Sequence, residues 1–417
     1  MSPRPAAVAR YVELIHAARE CEALYAFDKA ELLYRKASSV QPRYSTAYAA
    51  LGRLFQAKAD WKNALESFTK VTLLRAGPAG ICGPEGKRTI VGRSLTASKL
   101  RHDIDQVEYL LREGFMRKDA RRLRRMLDTY SSILKVLGEG NDADIAFEVG
   151  ERIGNELKPF YGRILHLKPP KLNARHALNP RLNFKKLEDA YLRSKPRVLV
   201  IDDILTSEAW TALRRHCLES TIWANALKDR ALSSTVFDGV ACEPVYRIAE
   251  DLADRMPRVF EERGLTGVWG YKYDSTSPGL GVHADQGGVN ANFWLTPDSA
   301  VLDSSSGGMC VYDVLAPKDW SYSNFGSPAN RRMLAFLRSG KPRKLRIPYR
   351  ANRAIIFESQ LFHSSEPIRF REGYENRRVN MTYQFGDPRG FPGISRGSSW
   401  KDESEFLVQA MAGSGGR

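Results

Sequence analysis

Apolar residues recur at helical spacing through the first part of the chain and at strand spacing from Arg197 onward. An offset of 34 residues superimposes Leu14 on Tyr48, Ala17 on Leu51, Ala18 on Gly52 and Cys21 on Phe55. The same offset pairs Phe27 with Trp61, Ala30 with Ala64, Tyr34 with Phe68 and Ala37 with Val71. Small residues then fall where two helices of a hairpin approach closely, and bulky ones where they fill the groove. The Gly/Pro-rich run 77–86 breaks the pattern. Helical spacing resumes over 95–115, 119–137 and 144–157. In the middle segment Leu123, Met126, Tyr130, Ile133 and Leu137 share a face, which leaves Arg121, Arg122, Arg124 and Arg125 on a solvated face or a docking surface for acidic groups. The basic, Pro- and Asn-punctuated stretch 166–196 predicts an extended connector.

Beyond Arg197 short apolar runs at 198–204, 268–273, 289–295, 308–312, 344–347, 353–357 and 378–385 are divided by Gly, Pro, Asn and Ser. This predicts a β-sandwich or jelly roll instead of a doubly wound sheet. Thr206, Ser207 and Glu208 offer a capped start for a helix through Trp210 and Leu213. The stretch 313–341 interrupts the strands and predicts either a roof over a site or a structural helix, and the end after Gly386 reads as a mobile tail around the amphipathic stretch 403–411.

Segments 11–44 and 45–78 resemble two tetratricopeptide repeats. Pro42 stands at the helix-ending position of the first, and Ala76 replaces it in the second. Two repeats are few, because each buries its core by stacking on a neighbour, so further helices are expected to cap them.

Length and composition add bounds. A chain of 417 residues favours two or three domains. The pattern divides it into helical repeats at 1–80, a basic helical region and connector at 81–196, a β domain at 197–390 and a tail at 391–417. No apolar run approaches the ~18 residues of a membrane span, so no membrane partner is expected. The start Met-Ser-Pro-Arg-Pro lacks an apolar signal core, which points to the cytoplasm. Five scattered cysteines without a C-x-x-C pair read as free thiols. The formal net charge is +16, of which +15 falls in the first 200 residues. The excess charge therefore belongs to the helical half, where it predicts an acidic partner, while the β half is nearly neutral. No G-x-G-x-x-G or P-loop pattern is present, which removes the usual nucleotide-binding readings.

Three places carry candidate chemistry. V-H-A-D-Q-G-G sets His283 and Asp285 on one face of an extended segment. I-I-F-E-S-Q-L-F-H leads from a buried strand to His363, and E-N-R-R-V-N-M-T-Y-Q-F opens another strand with Arg377 and Arg378. Two imidazoles and a carboxylate can hold Fe(II) facially and leave positions open. A buried arginine suits the remote carboxylate of a keto acid. Arg378, Asn380 and Thr382 share one strand face; Arg377 points the other way, which favours Arg378.

In this order and context the run 198–386 resembles the Fe(II)/2-oxoglutarate-dependent dioxygenases, especially their prolyl-hydroxylase-like branch. The resemblance implies a double-stranded β-helix, or jelly roll, behind an α-helical region. It implies His283, Asp285 and His363 as catalytic iron ligands, with Fe(II), 2-oxoglutarate and O2 as cofactor and cosubstrates. Arg378 takes the place of the residue that pairs with the 2-oxoglutarate C5 carboxylate. Many relatives have Lys there followed by Ser at the second position; here Arg378 is followed by Asn380, so carboxylate binding departs in detail. Tyr273 falls near a cosubstrate-binding tyrosine, with Tyr271 as its competitor on the same face; Asn290, Asn292 and Trp294 alternate on one face of the strand after the metal loop, the two amides as a polar pocket wall and Trp294 as either core or contact. The resemblance implies hydroxylation of a C–H bond, and the pairing with repeats suggests a protein or peptide substrate, acidic in character. The alternatives are a small-molecule hydroxylase with the repeats as scaffold, and a non-catalytic adaptor with a vestigial oxygenase domain. A nucleic-acid demethylase is disfavoured, since a second arginine six residues beyond Arg378 is replaced by Gln384.

Overall fold

The computed structural model describes residues 5–77, 95–137, 151–227, 230–260, 263–328 and 330–386. The expected tail with its stretch 403–411, Cys82, and the first half of the helix expected at 144–157 lie outside them. The chain forms two compact units, Met1–Arg88 with Gly264–Thr266 and Gly386–Arg417, and Thr89–Arg263 with Gly267–Phe385.

In the first unit α1 (Pro5–Ala23) packs on α2 (Phe27–Val40), and α3 (Ser45–Ala57) on α4 (Trp61–Ala76). Each hairpin buries one stripe: Tyr11, Leu14, Ile15 and Ala18 on α1, then Ala30, Tyr34 and Ala37 on α2. The 34-residue offset carries Ala30 and Tyr34 onto Ala64 and Phe68, and all four are buried. A Cβ added at Gly52 would stand 2.8 Å from Phe68 Cε1, so the missing side chain is what lets α3 and α4 close up.

The second unit begins with α5 (Ala97–Arg112), α6 (Ala120–Leu137) and α7 (Glu151–Leu157), whose apolar faces meet around Leu100, Val107, Leu110, Leu123, Met126 and Tyr130. The α6 arginines 121, 122, 124 and 125 are exposed, as both a solvated face and a docking surface require. The connector expected over 166–196 is not extended throughout. Asn183 caps a helix, α8 (Phe184–Arg193), by accepting the Lys186 N–H at 3.0 Å, and Phe184 and Tyr191 bury its inner face. The Pro and Asn clusters flank this amphipathic turn without entering it.

The strands are β1 (Val198–Ile201), β2 (Asn225–Leu227), β3 (Ala231–Thr235), β4 (Gly264–Tyr273), β5 (Thr276–Ser277), β6 (Val289–Trp294), β7 (Met309–Leu315), β8 (Lys344–Ile347), β9 (Ala354–Glu358), β10 (Leu361–Ser365), β11 (Ile368–Arg369) and β12 (Val379–Gly386). Between β1 and β4 lie α9 (Ser207–Glu219), α10 (Glu243–Arg255) and α11 (Pro257–Phe260). Thr206 caps α9 by accepting the Ala209 N–H. A seven-stranded sheet has the order β1-β9-β6-β12-β4-β3-β2, a three-stranded sheet β10-β7-β8, and β11 pairs with β5. Trp294, Ile355 and Phe357 of the larger sheet share one apolar cluster with Met309, Val311, Ile347 and Leu361 of the smaller. The two sheets therefore face each other across a common core. Strand β1 stops at Ile201, short of the expected 204, where Asp203 turns the chain at a φ of 52°.

The stretch 313–341 holds α12 (Tyr322–Phe325) and α13 (Arg331–Gly340), whose Phe325 and Met333 pack with Ala284, Tyr312 and Phe362. Among the described residues Cys21, Cys217, Cys242 and Cys310 are free thiols, and no helix is long and apolar enough to cross a membrane.

Candidate active site

His283 and His363 stand eighty residues apart in the chain and directly opposite each other in space. The segment before β6 runs antiparallel to β10, and the two histidines exchange backbone hydrogen bonds, His283 N–H to His363 O at 3.0 Å and His363 N–H to His283 O at 2.8 Å. The exchange brings the ring centroids to 4.3 Å. His363 thus lies within a strand of the smaller sheet, not after one, because the chain turns at Ser359 and Gln360 and pairs again.

Each imidazole is oriented by the backbone carbonyl two residues before it. Nδ1 of His283 lies 2.9 Å from Gly281 O, and Nδ1 of His363 lies 2.9 Å from Leu361 O. Donation to those carbonyls places the proton on Nδ1 and leaves both Nε2 lone pairs for a metal. Asp285 completes the group: its Oδ1 is 4.0 Å from His283 Nε2 and its Oδ2 is 3.5 Å from His363 Nε2. One ligand atom from each of the three lies within 4.8 Å of the others. Burial, reinforced by His283, pushes His363 down to about 4, so its ring is neutral at physiological pH.

The pairing of β6 with β12 builds the adjoining wall. Its register sets Asn292 opposite Thr382 and Trp294 opposite Asn380. Asn292 Nδ2 donates to Thr382 Oγ1 at 2.8 Å. Arg378 enters from the start of β12, with Nε donating to Gly307 O at 2.7 Å and Nη1 to Asn380 Oδ1 at 2.8 Å. Its guanidinium lies 5.1 Å from the Tyr273 ring centroid, 5.7 Å from Trp294 and 5.8 Å from Tyr349. Arg378 is 2% exposed and has no carboxylate partner among the described residues; its burial lowers its affinity for the proton. Arg377 faces away and pairs with Asp105 at 2.7 Å and Asp274 at 3.1 Å.

One cavity is lined by His283, Asp285, His363 and Arg378 together with Tyr271, Tyr273, Asn292, Asn380 and Thr382. The site residues expected from the sequence border the same space, except Asn290, expected in the pocket wall, which instead hydrogen-bonds Asp285 from outside the lining. Tyr273 stands at the Arg378 end, its hydroxyl 3.4 Å from Ser365 Oγ, whereas Tyr271 is close enough to Asp285 for that charge, after burial, to hold its phenol protonated. Trp269, Met309 and Phe357 also line the cavity. Trp269 was legible, since it continues the alternation of Tyr271 and Tyr273. Tyr349, stacked on Trp294 at 5.0 Å, lies in a loop without periodicity and left no signal.

Fe(II) and 2-oxoglutarate fit these residues. The donor set is two imidazoles and one carboxylate, which suits Fe(II) with open positions. Arg378 is a buried cation in need of an anion, and in the same wall Asn292 Oδ1 and Trp294 Nε1 are buried polar atoms with no hydrogen-bond partner among the described residues.

No family model matches the chain, and no curated protein matches it. Solved structures do. The carbocyclase SnoK from nogalamycin biosynthesis, described as non-heme and alpha-ketoglutarate-dependent, is 16% identical with a TM-score of 0.36, covering 54% of this chain and 94% of its own. HygX from Streptomyces hygroscopicus with nickel and 2-oxoglutarate bound is 15% identical with a TM-score of 0.34, covering 48% and 86%. The same enzyme with nickel, 2-oxoglutarate and hygromycin B bound is 17% identical with a TM-score of 0.33, covering 48% and 86%. The sheet domain resembles the fold of non-heme Fe(II)/2-oxoglutarate-dependent enzymes. These matches correct one expectation. The compounds they name, nogalamycin and hygromycin B, are small molecules, so the protein or peptide substrate expected for this chain, acidic or otherwise, is set aside.

Proposed function

We propose that this chain is an Fe(II)- and 2-oxoglutarate-dependent oxygenase that hydroxylates a C–H bond of a small molecule. One observation carries the proposal: two histidines, a carboxylate and a buried arginine with no acidic partner among the described residues line one cavity. Bound Fe(II) and 2-oxoglutarate, with O2, supply the oxidising power, as oxidative decarboxylation of the keto acid to succinate accompanies hydroxylation. The chain's own residues bind and orient. His283, Asp285 and His363 hold the metal from one side. Arg378 takes the remote carboxylate of the keto acid, braced by Asn380 and backed by the Tyr273 ring. Trp269 and Tyr271 line the remaining wall and exclude water from the substrate carbon. The lining sets apolar Trp269, Trp294, Met309 and Phe357 among these polar groups, a mixed wall of the kind that takes a small molecule beside the keto acid.

We assign the facing sheets to a double-stranded β-helix and the two helical hairpins to tetratricopeptide-like repeats that serve as a scaffold. The shared core of the sheets and the 34-residue recurrence support these assignments.

The test is succinate release from 2-oxoglutarate by the Fe(II)-loaded protein, with and without small-molecule metabolite pools, in wild type and His283→Ala. Metabolite-stimulated release in wild type, at least a hundredfold weaker in the variant, is expected. Equal release by both proteins would refute the proposal.

A further inference from the structure

We propose that Asn290 and Ser359 form a positioning relay that makes Asp285 a one-oxygen metal ligand; this rests on the metal-binding reading above. Asn290 Nδ2 donates to Asp285 Oδ2 at 2.5 Å, and Ser359 Oγ donates to Asn290 Oδ1 at 2.9 Å. Both relay residues are fully buried. Ser359 grips the same loop with its backbone as well: its carbonyl accepts the Asp285 N–H at 2.9 Å, and its N–H donates to Gly288 O at 3.1 Å. A Cβ at Gly287 would stand 2.9 Å from Gln384 Cγ and 3.1 Å from Ser359 Oγ, so the glycine permits this close approach.

The chemistry follows from which oxygen is held. Oδ2, 3.5 Å from His363 Nε2, is engaged by the amide, while Oδ1, 4.0 Å from His283 Nε2, accepts no hydrogen bond among the described residues and is available to a metal. Without the clamp the carboxylate could rotate and bind through both oxygens. It would then occupy a position needed by either the bidentate keto acid or O2. The two bonds also run in one direction, hydroxyl to amide to carboxylate, so each polarises the next. Neither residue touches the metal position itself; both act through Asp285.

The experiment uses the full chain and Mn(II) alone as probe, read by the paramagnetic resonance of free Mn(II), in wild type, Asn290→Ala, Ser359→Ala and the double variant. Melting of the metal-free proteins is recorded in parallel. Removing such outer contacts is expected to weaken Mn(II) binding about 10- to 100-fold. The double variant should lose no more than Asn290→Ala, since the serine acts through the asparagine. Lower melting temperatures with unchanged Mn(II) affinity would assign both residues a merely structural role and overturn the relay. Additive losses would overturn it too, by showing that Ser359 acts independently. Ser359→Ala removes a single oxygen, so it carries the test even if Asn290→Ala does not fold. Failure of wild type to bind Mn(II) would instead remove the metal-site reading on which the relay stands.

Discussion

Arg377 and Arg378 are adjacent, chemically identical and differently used. Arg377 is neutralised by Asp105 and Asp274, whereas Arg378 faces the cavity among aromatic rings. The alternation along β12 separated them, because neighbouring side chains on a strand leave on opposite faces. His216 shows how strongly burial acts elsewhere in the same unit. It packs with Nε2 3.0 Å from Gly239 O and Nδ1 3.0 Å from Ser220 Oγ, and burial pushes it down to about 4. Its folded value is depressed, so the unfolded chain takes up the proton first. The stability it contributes is full above about pH 6.5 and is lost as the pH falls toward 4. Between pH 7 and pH 4.5 the unfolding free energy of wild type should therefore fall by about 2–3 kcal/mol more than that of His216→Gln. Urea unfolding at the two pH values measures this, and equal falls would remove the assignment.

Elements were legible where one face is buried and the other is not. The hairpins α1–α4 follow the 34-residue recurrence, with Ala30, Tyr34, Ala64 and Phe68 on their buried faces. Legibility failed where polar residues are buried by neighbours: β3 reads A-L-S-S-T, yet Ser234 is fully buried between β2 and β4. The short helix α8 was hidden by the Pro and Asn residues on either side of it. Gly52 tests the logic of the hairpin. Alanine there gains helix propensity but drives a methyl against the fully buried Phe68 ring. Gly52→Ala should cost a net 1–2 kcal/mol, roughly, as overpacking outweighs propensity. Phe68→Leu should cost less in that background than in wild type, because the smaller side chain makes room. A double-mutant cycle by chemical denaturation gives the coupling, and simple additivity would show that α3 and α4 do not meet at this pair.

At the scale of the whole molecule, ligand binding and stability are one measurement. Mn(II) at about a hundred times its dissociation constant should stabilise the protein by about 2.7 kcal/mol, and 2-oxoglutarate should add a further increment. In Arg378→Leu the metal increment should persist and the 2-oxoglutarate increment should vanish, as read from denaturation with each ligand. An undiminished 2-oxoglutarate increment would take Arg378 out of cosubstrate binding. Whole-chain charge proved a poorer guide. The +15 of the first 200 residues suggested an acidic polypeptide partner, but a charge count specifies no ligand. By itself the sequence determined which residue types share a strand face, where the two kinds of periodicity change over, and that His283, Asp285, His363 and Arg378 were the residues to watch. Tertiary structure decided that β10 meets the His283 segment, that Tyr349 backs Arg378, and that Asn290 and Ser359 hold Asp285. Periodicity is a local property of the chain and encodes the face a residue presents. Which strands abut, and in what register, is settled by backbone pairing and a common core between segments far apart in sequence.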